Sequence, residues 1–402
     1  MDPNEGDVID CEVLVVGGGP IGSTAARYAA KNCSGKVIVI EKRQEIGSPV
    51  RCAEGISLSW LDEVGVEKSE HFIKKKVVGA KIYSPSGYEV KIGKDIAGDE
   101  VGGVIERDIF DKEMAILAVR AGADYMLKTS AVDVIKENGQ VKGVKARKMG
   151  TGFEIHADLV IGADGFESQI GRWAGIYDSL PPNDVMSCFQ YRMSDIDIDA
   201  EHTHFFLGNA APGGYLWIFP KGDDTANVGL GIQLSRLDGD KTAKDYLDEF
   251  IEENEWLNKG EVVDMVSGGV GVSPPPEKVI TDGMMLVGDA ARVVDPITGG
   301  GIANGMKQAK IAGEVAAEAI EEGDVSEDFL QDYEERWRDR LEEKLWRNYM
   351  AKKKAVELTD EQFDKVIDAL SEQNIEEMST EAILIAIGEK YPGLVEDFQD
   401  ML

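Results

Sequence analysis

The sequence predicts an α/β fold, α+β overall. In it a Rossmann-type nucleotide-binding domain is interleaved with an antiparallel β-sheet domain and followed by a helical C-terminal region. Three observations predict it. A glycine turn joins an apolar strand to an alanine-rich helix near the N-terminus. Two later apolar strands each run into a Gly–Asp pair, and between them lies a block with several strand-like runs and few helix signals. Residues 325–402 read as almost entirely helical and acidic. A chain of 402 residues, at roughly 100–200 per domain, holds two or three domains.

Cys11–Val16 is an apolar, β-branched run, Gly17–Gly22 the turn, Ser23–Lys31 the helix and Lys36–Ile40 a second strand. Residues 76–92 read as a hairpin around Ser84-Pro85-Ser86-Gly87. Residues 107–121 read as a helix with Phe110, Met114 and Leu117 on one face. Short strands fill 130–161, another apolar strand covers 284–288, and a helix runs from Gly301 to Ile320. The expected domains are therefore 1–75, 100–175 and 283–320 for the nucleotide-binding part, 76–99 and 176–282 for the sheet part, and 321–402 for the helical region. In that last region Phe329, Tyr333, Trp337, Leu341, Leu345 and Tyr349 recur every four residues on one helical face. The face reads either as packing against the nucleotide-binding domain or as a channel wall for an apolar tail.

Composition excludes several classes. Seventy-five acidic and 43 basic side chains leave a net charge of −32, which repels phosphate backbones and anionic membranes. No stretch approaches the roughly 18 apolar residues needed to span a bilayer, and the acidic start is unlike a signal peptide. The expected location is cytoplasmic, with at most a peripheral contact at the inner membrane face. Cys11, Cys33, Cys52 and Cys188 form no C-x-x-C pair, and no His stands at a ligand spacing, so no metal is expected.

The chemistry begins at Gly17-x-Gly19-x-x-Gly22. The first glycine permits a tight turn, the second lets the backbone approach a pyrophosphate, and the third lets helix and strand pack closely. Pro20 and Ile21 complete the turn, and the helix N-terminus offers free N–H groups to phosphates. Glu41, 19 residues after Gly22, ends the second strand where an acid accepts from a ribose, with Lys42 beside it. The later segments Asp158–Gly165 and Met284–Ala291 favour FAD over NAD. Asp289 is placed to bond a ribityl hydroxyl. Pro296, Gly299, Gly300, Gly301 and Ile302 bring a helix N-terminus towards the flavin pyrimidine, where reduced flavin carries negative charge.

Together these segments resemble the flavoprotein superfamily typified by p-hydroxybenzoate hydroxylase. The resemblance covers residues 11 to about 320 and implies FAD lying extended beside a β-sheet substrate domain. It adds Asp164, Gly165, Gly288, Ala131 and Arg107 to the expected cofactor contacts. Two further segments, Arg51-Cys52-Ala53-Glu54-Gly55 and Pro212-x-x-Tyr215-x-Trp217-x-Phe219-Pro220, resemble the geranylgeranyl reductases, particularly the archaeal digeranylgeranylglycerophospholipid reductases. In that family the first segment lies along the FAD, so Arg51, Cys52, Ala53 and Gly55 become cofactor contacts.

In a strand Tyr215, Trp217 and Phe219 share one face. They form either core or an aromatic wall for an apolar chain, with the Tyr hydroxyl as a polar handle. The motif match favours the wall. Cys52, Tyr215 and Trp217 are the candidate catalytic side chains. Cys52 is an inert small residue, a cofactor contact or a proton donor, with Arg51 and Glu54 as alternative polar groups.

The resemblance implies reduction of isolated C=C bonds in geranylgeranyl chains of an ether-lipid precursor, by hydride from reduced FAD and a proton. The electron donor is NAD(P)H or a small electron carrier, since no second dinucleotide turn occurs. The rival readings are an FAD monooxygenase or halogenase on the same scaffold, and a non-catalytic flavin-binding protein.

Overall fold

The computed structural model describes residues 3–93, 102–371 and 380–395. The expected domain boundary at 99/100 lies outside the described residues. Contacts divide the chain into two units. One comprises Met1–Val50, Arg107–Leu180 and Gly271–Trp346, the other Arg51–Glu106, Pro181–Val270 and Arg347–Leu402.

The first unit is built on a parallel sheet. The strand Val8–Val16 lies between Val37–Glu41 and Thr151–Gly162. Asp124–Leu127 pairs beyond the former and Met284–Leu286 beyond the latter, all parallel. Ile280–Thr281 closes one edge, and Thr129–Glu137 with Gln140–Lys148 extends Thr151–Gly162 as antiparallel strands. Val13 to Val16 are buried without alternation because both sheet faces are covered, as parallel sheets require. The helix Pro20–Asn32 starts with proline at its first turn and buries Ser23, Ala25, Ala26 and Ala29. These small residues admit a second helix, Ile302–Glu322, so closely that a Cβ on its Gly313 would stand 2.5 Å from the Ala25 carbonyl oxygen.

The long helix Glu327–Ala355 carries the four-residue repeat. Tyr333, Trp337, Leu341 and Leu345 are buried in the first unit's core, with Phe329 packed beside them. The face is core packing, and these five residues line no channel. Tyr333 also donates its hydroxyl to the Leu286 carbonyl, next to a strand end that matters below.

The second unit holds a seven-stranded sheet in the order Glu261–Gly271, Val185–Ser194, Ala226–Gln233, Tyr215–Pro220, His202–Phe206, Gly79–Tyr83, Glu89–Gly93. The hairpin predicted at Ser84–Gly87 joins the last two, pairing Tyr83 with Glu89. The sequence predicts an antiparallel sheet here, and the structure corrects this: the sheet is mixed. His202–Phe206 runs parallel to Gly79–Tyr83, which is possible because the two come from chain segments more than a hundred residues apart. A three-stranded sheet, Gly55–Ile56, Gly103–Ile105 and Ile73–Lys76, sits in the same unit. Residues 51–75 thus group with the sheet-rich unit rather than with the nucleotide-binding one. The C-terminal region divides between the two units instead of standing alone.

Trp337 is fully enclosed and its replacement leaves a large void. Trp337→Ala is expected to lower the unfolding free energy by about 3–5 kcal/mol. Denaturant titration checks this, and a change below about 1 kcal/mol would contradict the packing described.

Candidate functional site

Three loops meet at the carboxyl ends of neighbouring parallel strands, the position where open α/β sheets bind ligands. They are stitched together by the backbone. Gly17 N–H donates to Ile40 (2.9 Å), Ala163 N–H to Val16 (2.8 Å) and Val287 N–H to Gly162 (2.9 Å). Gly17 has φ +112°, and a Cβ there would lie 2.2 Å from the Ala163 oxygen; one on Gly22 would lie 1.9 Å from the Gly17 oxygen. Gly19 caps the helix Pro20–Asn32 without any side-chain hydrogen bond, and space opens on the side where its Cβ would stand. Pro20 is buried, while Ile21 packs under Gly288 and joins the first loop to the third.

Glu41 is held in place. Its Oε2 accepts from Gly18 N–H and its Oε1 from Arg43 N–H, both at 2.9 Å. Lys42 is exposed next to it. Ala131 pairs with Ala146 and is half-buried against the unit's core.

The middle loop differs from expectation in its chemistry. Asp164 uses its carboxylate on its own turn, accepting from Ser168 Oγ (3.1 Å) and Ile170 N–H (3.0 Å), while Ser168 caps the short helix Gln169–Ala174. Burial pushes its carboxyl above the usual carboxylate value, against these hydrogen bonds. Gly165 follows in a left-handed conformation. The segment shapes the junction through its backbone.

The third loop presents Asp289 and a helix start. Gly301 approaches so closely that a Cβ on it would stand 2.9 Å from Asp289 Oδ1. Enclosure raises the Asp289 carboxyl, and the positive charge of Arg107 opposes the shift. Arg107 begins the helix Arg107–Ala121 and is oriented by a two-point ion pair with Asp111, 2.7 and 2.9 Å. Gly301 is the cap of Ile302–Glu322 and again no side chain caps it. Asp295, which sequence reasoning missed, builds the approach: its Oδ1 accepts from Ile297 and Thr298 N–H, both at 3.0 Å, and its backbone bonds Gly299 and Gly300. Pro296 is buried beside it. Two uncapped helix N-termini, a glycine cradle that any Cβ would fill and a held acid fit the pyrophosphate, ribose and ring of FAD.

In the second unit, Tyr215, Trp217 and Phe219 share one face of Tyr215–Pro220, as the alternation predicts. Trp217 and Phe219 are buried and Tyr215 is half-buried. The rings pack edge to face with Phe205, centroids 5.5 Å from both Tyr215 and Phe219. Room for them comes from residues without side chains. A Cβ on Gly229 would lie 2.7 Å from the Trp217 ring, and one on Gly55 2.7 Å from the Phe219 ring. Cys188 and Ala53 complete the cluster. Arg51 is exposed and Cys52 half-buried, its Sγ accepting from Glu54 N–H at 3.2 Å.

Comparison with known proteins agrees with both halves. Residues 12–180 match the FAD dependent oxidoreductase family and residues 184–270 the geranylgeranyl reductase catalytic domain. The chain is 49% identical to the digeranylgeranylglycerophospholipid reductases of Thermoplasma volcanium and of Thermoplasma acidophilum. Each alignment spans 97% of this chain and 99% of the relative. Among solved structures, it is similar to a geranylgeranyl bacteriochlorophyll reductase-like protein from Thermoplasma acidophilum (TM-score 0.92, 48% identity, 98% of this chain and 100% of that one). The flavin-dependent brominase Bmp2 shares the fold alone, with TM-score 0.67 and 19% identity over 98% of this chain and 93% of that one.

The backbone oxygen facing Gly22 cannot withdraw, so Gly22→Ala is expected to lower stability by about 1–3 kcal/mol and to weaken FAD binding more than about tenfold. Fluorescence titration with FAD checks it, and unchanged affinity would contradict the cradle. Asp289 supplies a pH test. Its raised carboxyl makes the folded state hold a proton more firmly than the unfolded chain, so its contribution is full below the ordinary carboxylate range and fades as pH rises through the raised value. Asp289→Asn is therefore expected to raise the Tm of FAD-free protein at pH 7, with the gain shrinking towards pH 4. An equal gain at both pH values would rule this out.

Proposed function

The chain belongs to the digeranylgeranylglycerophospholipid reductase family, and from that membership we propose which of its residues carry the reaction and where its electrons come from. It is an FAD-dependent reductase that saturates C=C bonds of geranylgeranyl chains. When bound, FAD supplies the hydride.

The chain's own task is positioning. An isolated alkene is a poor electrophile, so the protein must hold the carbon in place and keep water away. We assign the phosphates to the amides of Gly17–Gly22, the ribose to Glu41, the ribityl chain to Asp289 with Arg107, and the pyrimidine to the start of Ile302–Glu322. Arg51, Cys52, Ala53 and Gly55 join the cofactor contacts on the family pattern. Tyr215, Trp217 and Phe219 form the wall for the isoprenoid. The observation that carries this is the ring face on Tyr215–Pro220, where three aromatic side chains two residues apart line one side and Tyr215 stays half-buried. A smooth wall lets a tail slide so that successive double bonds are presented, which specific polar contacts would hinder. Cys52 remains in this reading as a cofactor neighbour and a candidate proton donor.

The sequence contains one dinucleotide turn, so we assign the electrons to NAD(P)H bound transiently or to a small electron carrier. No described helix is long and apolar enough to cross a membrane. A peripheral contact suits a lipid substrate. The exposed Val262, Val263 and Met265 support an apolar contact, since the strongly acidic chain disfavours an electrostatic one.

The test is anaerobic. Protein reduced with dithionite is mixed with a geranylgeranyl ether lipid. The expected outcome is flavin reoxidation with a gain of two hydrogens per bond in the lipid mass spectrum. Reduced flavin that persists beside unchanged lipid would overturn the reductase reading. Rapid oxygen uptake with oxygenated product in air would point to the monooxygenase class.

A further inference from the structure

Three consecutive carbonyl oxygens of the Cys52–Glu54 segment are fixed by groups from other parts of the same unit. Gln190 Nε2 donates to the Cys52 oxygen (3.2 Å), Asn227 Nδ2 to the Ala53 oxygen (3.1 Å) and Ile105 N–H to the Glu54 oxygen (2.9 Å). Glu54 itself has φ +73°, a left-handed conformation that a side chain disfavours.

Its carboxylate runs inward and is 1% exposed. There Oε2 meets Lys221 Nζ at 2.7 Å, Asn227 Nδ2 at 2.7 Å and Arg192 Nη2 at 2.9 Å. Glu106 Oε2 stands 3.1 Å from Lys221 and 3.2 Å from Arg192. Lys221 also donates to the Ile105 oxygen, the residue whose N–H holds Glu54. Two carboxylates and two cations balance, so the cluster is neutral as a whole. Buried ion pairs of this kind add little net stability over apolar packing, and their attested use is to fix geometry. Committed to two cations and an amide, Glu54 acts as an anchor rather than as the proton donor that its place beside Cys52 suggests.

Gln190 has a second function. Its Oε1 accepts from Trp217 Nε1 at 2.8 Å while its Nε2 holds Cys52, so one buried amide ties the aromatic strand to the Cys52 segment. Its orientation is fixed, because only the nitrogen can donate and only the oxygen can accept.

We propose that Gln190, Asn227 and the Glu54–Lys221–Arg192–Glu106 cluster are positioning groups for the reductase, holding the Cys52–Gly55 segment and the Trp217 ring in the single geometry that the reduction step requires. This rests on the assignment of that segment and that strand to the reaction. None of these six residues touches the reacting atoms; they act through Cys52, Ala53 and Trp217. A displacement near 1 Å in such a segment is enough to slow chemistry by about a hundredfold.

The experiment compares wild-type holoenzyme with Gln190→Leu and Asn227→Leu. It reads FAD content, Tm, the rate of anaerobic reoxidation by geranylgeranyl lipid across lipid concentrations, and the rate at which iodoacetamide modifies Cys52, located by peptide mass. The expected result for Gln190→Leu is a saturating rate at least about tenfold lower with the lipid KM within about twofold. FAD content should be unchanged and Cys52 should be alkylated several times faster. Asn227→Leu, which disturbs the ion cluster directly, should show the same split with a lower Tm. Unchanged saturating rates would overturn the proposal. So would losses that merely follow the fraction of folded, FAD-loaded protein, or Cys52 labelling equal to wild type. If wild-type enzyme itself fails to reoxidise with lipid, the functional assignment falls, and the Cys52 labelling alone decides whether these groups hold the segment.

Discussion

The first unit depends on how closely its backbone segments approach one another after the strand Val8–Val16. Gly17 and Gly22 leave no room for a Cβ, and Ala163 presses its carbonyl on the turn. That apposition brings the start of Pro20–Asn32 to the sheet's carboxyl edge. Once it exists, Ile21 can pack under Gly288, the third loop can close, and Gly301 can approach Asp289. The three loops are one junction because their backbones share hydrogen bonds with adjacent strands. FAD chemistry follows from the polarity of that junction. It offers two uncapped helix N-termini and the acids Glu41 and Asp289, the polarity that a pyrophosphate and sugar hydroxyls require.

The second unit answers a different physical problem. A long isoprenoid offers almost nothing to hydrogen-bond, so recognition must come from shape and apolar area. The surface proposed for it is the ring face of Tyr215–Pro220, packed with Phe205 and seated on Gly55 and Gly229. Beside the rings, on the same sheet face, lies a buried, charge-balanced polar cluster. Apolar residues would pack this interior more cheaply. Its presence beside a left-handed Glu54 is the kind of local strain that recurs where geometry serves chemistry.

The features read correctly from sequence are those with short-range periodicity. The glycine turn lies between a β-branched run and an alanine-rich helix. The alternating Tyr215-x-Trp217-x-Phe219 puts its rings on one face, and the four-residue repeat of Glu327–Ala355 marks a buried seam. What the sequence hid lies in long-range pairing. Gln190 meets Cys52 across 138 residues and Asn227 meets Ala53 across 174, and no local pattern announces either. The parallel pair His202–Phe206 with Gly79–Tyr83, and the grouping of 51–75 with the sheet-rich unit, are tertiary choices of the same kind. Asp164 shows the opposite limit. Its Asp–Gly motif is visible in the sequence, but the carboxylate folds back onto Ser168 and Ile170, which no local pattern announces. Asp295 carried a local signal, an acid followed by proline and threonine before a glycine run, that went unread.

We place one FAD where the three loops of the first unit meet. Hydrogen–deuterium exchange of the apoprotein and the FAD-loaded protein, resolved by peptide, tests it most directly. FAD is expected to slow exchange in the peptides containing 17–22, 163–171 and 288–304, with smaller changes elsewhere in that unit. Protection centred on other segments, with these three loops unaffected, would contradict it.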